Sequence, residues 1–260
     1  MSGGWLPVAP CTPGACVRRA APGATVPLPR AVLRLVAVVA VVTAAVVLLP
    51  LGRWVPAVVV RGWCRAVVRA AGVRVRVTGG PLPDGGVLVV AHHVSWLDVP
   101  LLAALRPARM LAKAEIRRWP VAGALAARGG TLFLERDRLR ALPGAVAAVA
   151  RALREGAAVV AFPEGSTWCG RERGVFRRAV FQAALDAGVP VQPVRIRYGP
   201  VGGGVASAAA FVGDDTLVAS VWRGGGAGGL GAEGGVRGVL TGGSADDRGS
   251  LAGAAQRALG

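Results

Sequence analysis

The feature that most constrains the fold of this chain is an alternation of short apolar segments with helical segments from residue 73 onward. The first segment, VRVRVT, alternates strictly between valine and a polar residue, which is typical of a half-buried strand. Further apolar runs bounded by glycine or proline predict more strands, with helices between them. The predicted strands are 73–78, 86–91, 131–135, 157–162 and 191–197, and the predicted helices are 101–111, 141–155 and 174–187. This order predicts an α/β fold in which a mixed sheet is flanked by helices.

The N-terminal part of the chain has a different composition. Six prolines within residues 1–30 predict a flexible leader without regular structure. Residues 35–51 then carry no charge. As a helix this run would span roughly 25 Å, slightly less than the roughly 30 Å hydrocarbon core of a bilayer. Its start lies too far from the N-terminus for a cleaved signal peptide.

A second helix is predicted over 54–70. Arg61, Arg65 and Arg69 recur every four residues along one stripe, and apolar residues occupy much of the remaining surface. This pattern favours an interfacial helix whose arginines meet lipid phosphates, and the alternative is a solvated basic face on a soluble helix. We therefore expect residues 31–70 to form an N-terminal membrane-associated helical segment. A re-entrant hairpin and a true membrane span both remain open.

The C-terminal tail is rich in glycine. Eleven of the 21 residues from 223 to 243 are glycine, a composition too flexible for a packed core. We expect a glycine-rich loop over 223–247, with at most a weak strand at 236–240, and a closing helix at 250–259 within a C-terminal segment 248–260. The main α/β domain is then expected to extend over 71–222.

The charge of the chain is strongly positive. Lysine and arginine number 31 against 14 acidic residues, a net charge of +17, and Lys113 is the only lysine. Such a chain favours anionic partners such as nucleic acid, acidic carrier proteins or the inner membrane leaflet, although a general enrichment in arginine would raise the total equally well. The chain has one tyrosine and no interleaving of arginines with aromatic residues, so we expect no nucleic-acid partner.

The four cysteines show no paired metal-ligand spacing and have no histidine near them. We therefore expect no metal site and an ordinary reduced cytosolic setting. These cysteines are Cys11, Cys16, Cys64 and Cys169.

Both histidines of the chain, His92 and His93, follow the apolar run that ends at Ala91. A neutral imidazole can accept a proton from a hydroxyl group, and a carboxylate can hold that ring in the required tautomer. Asp98 lies five residues after His93, which is the wrong spacing for one helix face. The two can meet only if His93 lies in a turn and Asp98 opens the following helix. The alternative is that Asp98, with Pro100 behind it, simply caps that helix.

Three later segments end predicted strands, where ligands usually bind an α/β sheet. Arg136 can bind a phosphate through its guanidinium fork, or it can be a solvated arginine paired with Asp137. Glu164 can accept hydrogen bonds from substrate hydroxyls or a neighbouring arginine while the Gly165 N–H faces developing negative charge, or the two can form a plain turn. Residues 189–194 carry two prolines, so this segment either borders an acyl-binding groove or is a structural edge strand.

Together these segments resemble the glycerophospholipid acyltransferase family, specifically its bacterial 1-acyl-sn-glycerol-3-phosphate acyltransferases. The resemblance covers roughly residues 70–222. The matching residues, in chain order, are His93 and Asp98; Lys113-Ala114-Glu115, Trp119-Pro120 and Gly123; Gly130 with FLER at 133–136; FPEGS at 162–166; VPVQPV at 189–194; and FVGDDTL at 211–217. The chain departs from the family pattern at His92, where asparagine is usual, and at Thr167, where arginine is common; Arg171 or Arg173 would have to replace that arginine.

The resemblance implies an acyltransferase domain over 71–222 on the cytoplasmic side of the cell membrane. His93 would be the general base on the sn-2 hydroxyl of lysophosphatidate, oriented by Asp98. Arg136 and Lys113 would hold the glycerol phosphate, and Glu164, Gly165 and Ser166 would position the head group. No metal, cofactor or covalent acyl-enzyme would be needed, because the acyl donor is an activated thioester of coenzyme A or acyl carrier protein.

Three other functions stay open. The acceptor can be a lysolipid without phosphate, such as a lyso-ornithine lipid. The chain can be a non-catalytic basic protein of membrane surfaces. It can also be an inactive copy of the enzyme, a reading suggested by its glycine-rich tail.

Overall fold

A computed structural model describes residues 7–17, 25–48, 50, 55–200, 207–242 and 247–260 of the protein. Within these residues the chain forms nine α-helices and seven β-strands, with short 3₁₀ turns at Ala114–Arg118, Leu139–Ala141 and Ser207–Ala209. The helices are α1 Pro13–Cys16, α2 Leu28–Leu48, α3 Ala57–Ala70, α4 Asp98–Leu105, α5 Ala122–Arg128, α6 Leu142–Arg154, α7 Ala179–Ala187, α8 Leu217–Gly226 and α9 Arg248–Leu259. The strands are β1 Arg74–Thr78, β2 Val87–Val90, β3 Arg109–Lys113, β4 Leu132–Leu134, β5 Ala158–Ala161, β6 Val191–Pro200 and β7 Leu230–Val236.

The strands form one sheet in the order β1-β7-β6-β2-β5-β3-β4. The neighbouring strands from β6 to β4 are parallel, as are β1 and β7, whereas β6 and β7 are antiparallel. The predicted mixed sheet flanked by helices is therefore confirmed. Because β2 and β5 are parallel neighbours in the middle of the sheet, the segments that follow them emerge at the same edge.

Both faces of the central strands are buried. On β2, Leu88 and Val90 pack against residues of α6, α7 and α9, while Val87 and Val89 pack on the opposite face with residues of α2, α3 and α4. This two-sided burial explains why the central strands have continuous apolar sequences rather than alternating ones. It also fixes β2 firmly beneath the turn that begins at Ala91.

The burial predicted for one strand and the end predicted for one helix were wrong. Strand β1 was expected to be half-buried, but all five of its residues are exposed because it lies at the edge of the sheet. The helix predicted over 101–111 ends at Leu105, and β3 begins at Arg109. Pro107 explains the break, because it disfavours the helical conformation at Arg106, which is extended.

The strand predicted at 191–197 is observed as β6, but the alternative that residues 189–194 form an edge strand was wrong. Strand β6 lies inside the sheet between β2 and β7. Its ladder with β7 begins at Val194, one residue after Pro193, so the missing proline N–H removes no bond of that ladder. The Pro193 carbonyl still accepts a hydrogen bond from the Arg237 N–H.

The prediction of a glycine-rich loop over 223–247 was also wrong. Residues 223–226 complete α8, and β7 forms seven residues of regular strand between β1 and β6. Backbone hydrogen bonds on both sides hold this strand, so it needs few side chains of its own. The weak strand expected at 236–240 amounts to Val236 at the end of β7 and one isolated bridge from Leu240 to Val191. The closing helix is observed as α9.

The N-terminal leader is more ordered than predicted where the structure describes it. Cys11 is buried in the core, and Pro13 opens the single turn of α1, a position where its missing N–H costs no hydrogen bond. Helix α2 begins at Leu28, inside the segment 1–30 expected to be flexible.

Helix α2 has the length and composition to cross a membrane, and only 11% of its most apolar 18-residue stretch is buried. This fits membrane association without settling a span. On α3, Arg61, Arg65 and Arg69 are exposed as expected, but Val67 and Val68 lie in the protein core rather than on a lipid-facing side.

Candidate active site

His93 and Asp98 meet in the geometry that their spacing demanded. His93 lies in the turn after β2, and Asp98 is the first residue of α4. The His93 Nδ1 and Asp98 Oδ2 atoms are 2.8 Å apart. The same Oδ2 atom accepts hydrogen bonds from the backbone N–H groups of Val94 and Ser95. These donors precede the helix, so Asp98 does not serve as its side-chain cap and the capping alternative is wrong.

This network assigns the His93 tautomer. An ionised carboxylate only accepts hydrogen bonds, so the proton between His93 and Asp98 belongs to Nδ1 of the ring. Nε2 is then the unprotonated nitrogen and can accept a proton. The His93 side chain is 22% exposed, whereas that of Asp98 is fully buried. The ring can therefore contact a substrate while the Asp98 carboxylate is shielded from solvent.

Tyr198, on β6, completes the environment of Asp98. Its hydroxyl donates a hydrogen bond of 2.6 Å to Asp98 Oδ1. Burial and the negative charge of Asp98 raise the pKa of Tyr198 well above its ordinary value, so the hydroxyl remains a donor. Both oxygens of Asp98 are thus bound by protein groups, which fixes the carboxylate plane against His93.

Glu164 occupies a different position from the one predicted. Its side chain is fully buried, and Oε1 accepts from the ring Nδ1 of His92 at 2.9 Å and from the Gly174 N–H at 2.6 Å. Oε2 accepts from the His93 backbone N–H at 2.9 Å. The expected contact with substrate hydroxyls is therefore corrected: Glu164 holds the backbone and the two-histidine turn, because protein donors occupy both oxygens.

Gly165 forms the expected tight turn. Its φ of +71° is one that residues with a side chain rarely adopt, and an added Cβ would lie 2.5 Å from Pro7 Cγ. Its N–H donates to the Phe162 carbonyl at 3.0 Å, so the prediction that this N–H faces developing charge is wrong. Ser166 follows in the same turn and is half-buried.

Arg136 reaches this turn from the end of β4. One of its terminal nitrogens donates to the Gly165 carbonyl, and its Nε is buried without a hydrogen-bond partner among the residues that the structure describes. The alternative pairing with Asp137 is not among the ion pairs of these residues, where Arg138 pairs instead with Glu135. Arg136 therefore keeps one buried N–H donor that no described protein group accepts.

Lys113 stands at the end of β3, beside Arg136. Partial burial of its ammonium group, followed by the positive charge of Arg136, lowers the pKa of Lys113 from its ordinary value. Two cations close enough to repel each other form a pair that a phosphate group would stabilise.

A cavity of about 330 Å³ adjoins these residues. Arg136, Gly165 and Phe162 line it, and its other walls include apolar residues of β4 and α6 such as Leu134 and Val146. The Phe162 ring stacks on the His93 ring, with centroids 4.1 Å apart and planes inclined by 16°. The cavity, the cations and the catalytic candidate His93 therefore share one edge of the sheet.

Arg171 and Arg173 do not reach this cavity. Both line a second cavity with Arg195 and Arg197, and Arg171 donates to the Cys16 carbonyl. In this structure neither of them therefore takes the place of the arginine missing at Thr167 beside Arg136.

Sequence reasoning missed three residues of the site, namely Tyr198, His92 and Phe162 as the stacking partner of His93. Tyr198 had a usable signal, because the only tyrosine of the chain directly follows the strand predicted at 191–197. His92 was noted as a departure from the family pattern, but its bond to Glu164 depends on residues 72 positions apart.

Comparisons with known proteins agree with this geometry. Residues 74–197 match the family model described as Acyltransferase. The chain is 42% identical over 167 residues to the lyso-ornithine lipid O-acyltransferase of Pseudomonas aeruginosa, which covers 63% of this chain and 62% of that protein. It is 40% identical over 136 residues to the 1-acyl-sn-glycerol-3-phosphate acyltransferase of Neisseria meningitidis, covering 52% of this chain and 53% of that protein.

A solved structure shares the fold. It is the 1-acyl-sn-glycerophosphate (LPA) acyltransferase PlsC from Thermotoga maritima, which matches with a TM-score of 0.66 over 89% of this chain and 93% of that chain. The two sequences are 20% identical, so this match shows a common fold only. The matched regions span about half to three fifths of the length of the two sequence relatives. Residues 74–197 of this chain therefore match the Acyltransferase family model in sequence, and the contact between His93 and Asp98 lies within the matched region.

Proposed function

We propose that this protein transfers a fatty acyl group from a thioester donor to the free sn-2 hydroxyl of a 1-acyl-glycerol-3-phosphate, giving phosphatidic acid. The observation that carries the proposal is the 2.8 Å contact between His93 Nδ1 and Asp98 Oδ2, which leaves Nε2 as the base. The cation pair of Arg136 and Lys113 at the same sheet edge supports a phosphate-bearing acceptor.

In the proposed reaction His93 Nε2 takes the proton of the acceptor hydroxyl as its oxygen attacks the thioester carbonyl. The imidazolium that forms is stabilised by Asp98, whose carboxylate is held by Val94, Ser95 and Tyr198. Collapse of the tetrahedral intermediate breaks the carbon–sulfur bond, and the thiolate recovers the proton from His93. The activated thioester supplies the driving force, so the residues need only base catalysis and positioning, without metal, cofactor or acyl-enzyme.

The acceptor and the product are membrane lipids, and the apolar helix α2 supports a location at the membrane. We place the domain on the cytoplasmic side of the cell membrane, where soluble thioesters of coenzyme A or acyl carrier protein are made. The phosphate of the acceptor would bind Arg136 and Lys113, and the cavity lined by Leu134 and Val146 offers apolar surface beside them.

The experiment is an acyl-transfer assay on purified protein with lysophosphatidate and each thioester donor. His93→Ala is expected to abolish lysolipid-dependent thiol release in protein that still folds, because Asp98 keeps its hydrogen bonds from Val94, Ser95 and Tyr198. Wild-type rates in folded His93→Ala protein would refute the mechanism. A wild-type protein that consumes no thioester with any lysolipid would instead favour a non-catalytic membrane-surface protein or an inactive copy.

A second candidate acceptor is a lysolipid without phosphate. The similarity to the Pseudomonas aeruginosa lyso-ornithine lipid O-acyltransferase favours it. The same assay with lyso-ornithine lipid in place of lysophosphatidate separates the two, since the chemistry at His93 would be unchanged and only the acceptor preference would differ.

A further inference from the structure

Three cysteines that are far apart in the sequence converge next to the histidine turn. The Sγ atoms of Cys11, Cys16 and Cys169 all lie within 4.8 Å of one another. All three are free thiols; Cys11 and Cys169 are buried and Cys16 is half-buried. The four cysteines have no paired metal-ligand spacing in the sequence and no histidine near them, which predicted no metal site; only the fold brings Cys169 to Cys11 and Cys16.

We propose that Cys11, Cys16 and Cys169 form a binding site for a thiophilic divalent metal ion, with zinc as the expected occupant. Thiolates bind zinc at about 2.3 Å in a tetrahedral arrangement, which places neighbouring sulfur atoms about 3.8 Å apart. The three sulfurs therefore have to approach one another by at most about 1 Å. A three-cysteine set leaves the fourth position of a tetrahedral ion to a water molecule or another small ligand.

The surroundings suit a thiolate site. The backbone N–H groups of Glu172 and Arg171 form hydrogen bonds to the Cys169 sulfur, which favours a thiolate there. Binding would release the thiol protons and leave three thiolates on one divalent ion, a net charge of −1. Arg171, which donates to the Cys16 carbonyl, and Arg173, beside Cys169 in the second cavity, supply positive charge there.

Such an ion would join the N-terminal segment 7–17 to the loop that supports the active site. Cys169 directly follows Trp168, whose backbone N–H donates to the His93 carbonyl at 2.8 Å. At the other end of the segment, Pro7 lies against Gly165 and lines the cavity beside Arg136. The ion would therefore clamp residues 7–17 across the turn that carries Glu164 and Gly165.

The test uses the full chain, purified in detergent, stripped of metal under reducing conditions and titrated with Co²⁺ without oxygen. Wild-type protein is expected to bind one Co²⁺ per chain with a thiolate-to-cobalt charge-transfer absorption, which added Zn²⁺ removes because zinc binds such sites more tightly. Cys11→Ser, Cys16→Ser and Cys169→Ser should each weaken Co²⁺ binding by more than about tenfold. Cys64→Ser is the matched control, since Cys64 is also a buried free thiol but packs against α4.

A second measurement keeps the proposal testable if a buried-cysteine variant does not fold. Zn²⁺ is expected to raise the thermal unfolding midpoint of wild-type and Cys64→Ser protein but not that of Cys16→Ser, whose side chain is only half-buried. Reduced wild-type protein without the charge-transfer band, or Cys16→Ser with an unchanged band, would overturn the site. These readouts do not depend on acyl transfer, so failure of the proposed function would leave them intact.

Discussion

The Tyr198 hydroxyl and Asp98 Oδ1 are joined by a 2.6 Å hydrogen bond between residues that lie 100 positions apart. Asp98 is thereby held from two sides, by Tyr198 on β6 through Oδ1 and by the turn after β2 through Oδ2. The bond ties the orientation of the catalytic pair to the position of β6 in the sheet. A carboxylate fixed in this way can keep His93 in one tautomer throughout a proton transfer.

Tyr198→Phe should therefore impair catalysis without removing a substrate contact. The change leaves the buried Asp98 Oδ1 without its donor, at a cost of about 1–3 kcal/mol in the free energy of unfolding. We expect kcat to fall by about tenfold, with the KM for both substrates unchanged. Chemical denaturation and steady-state kinetics measure the two effects. A loss of stability at unchanged kcat would limit Tyr198 to a purely structural role.

Asp98→Asn tests the negative charge beside His93. An amide with its oxygen at the Oδ2 position still accepts hydrogen bonds from His93, Val94 and Ser95, and its NH2 group donates to the Tyr198 hydroxyl oxygen, so the variant removes the charge that stabilises the imidazolium. We expect kcat to fall on the order of a thousandfold or more, as in other His-Asp pairs. The measurement is the rate of thiol release by folded protein. A decrease of only severalfold would show that the charge of Asp98 contributes little to catalysis.

The sequence allowed the His93–Asp98 contact to be predicted because both residues are local to one turn, and their spacing excluded a common helix face. The same reasoning failed for Glu164, whose carboxylate was expected to face substrate. A buried carboxylate takes the donors that the fold provides, and these come from His92 and Gly174 in other parts of the chain. Strand β7 was missed for a similar reason, since its pairing depends on the backbones of β1 and β6 and not on its own side chains.

His92 provides a test of Glu164 as a support for the histidine turn. In His92→Asn the side-chain amide keeps a donor for Glu164, whereas His92→Ala removes it from a buried carboxylate. We expect His92→Asn to keep most of the wild-type kcat. His92→Ala should lose about 1–3 kcal/mol of unfolding free energy and several-fold in kcat, with the KM for the acceptor unchanged. If only the KM of His92→Ala rose, this part of the site would have to contact the substrate directly.

Arg136→Ala should chiefly raise the KM for a phosphate-bearing acceptor, because it removes a binding contact rather than a chemical group. A charge-assisted hydrogen bond contributes about 1.5–3 kcal/mol, so the expected rise is about tenfold to a hundredfold. Arg138→Ala is the control, since Arg138 lines the same cavity but is 77% exposed and pairs with Glu135. An equal rise in KM in both variants would point to general electrostatic attraction rather than a specific contact.

Lys113 should give acceptor binding a pH dependence in the alkaline range. Partial burial and the charge of Arg136 lower the pKa of Lys113 below 10.5, so its ammonium group loses its proton earlier than an ordinary lysine as the pH rises. The neutral amine attracts phosphate less, and the KM for lysophosphatidate should therefore increase with pH.

In Lys113→Arg the guanidinium stays charged, so the KM should remain nearly constant over the same range. KM measured between pH 7 and pH 10, with thioester hydrolysis subtracted in blanks without protein, decides the matter. Parallel pH profiles of the wild type and Lys113→Arg would remove Lys113 from the phosphate site, whereas a flat profile in the variant alone would keep it beside Arg136.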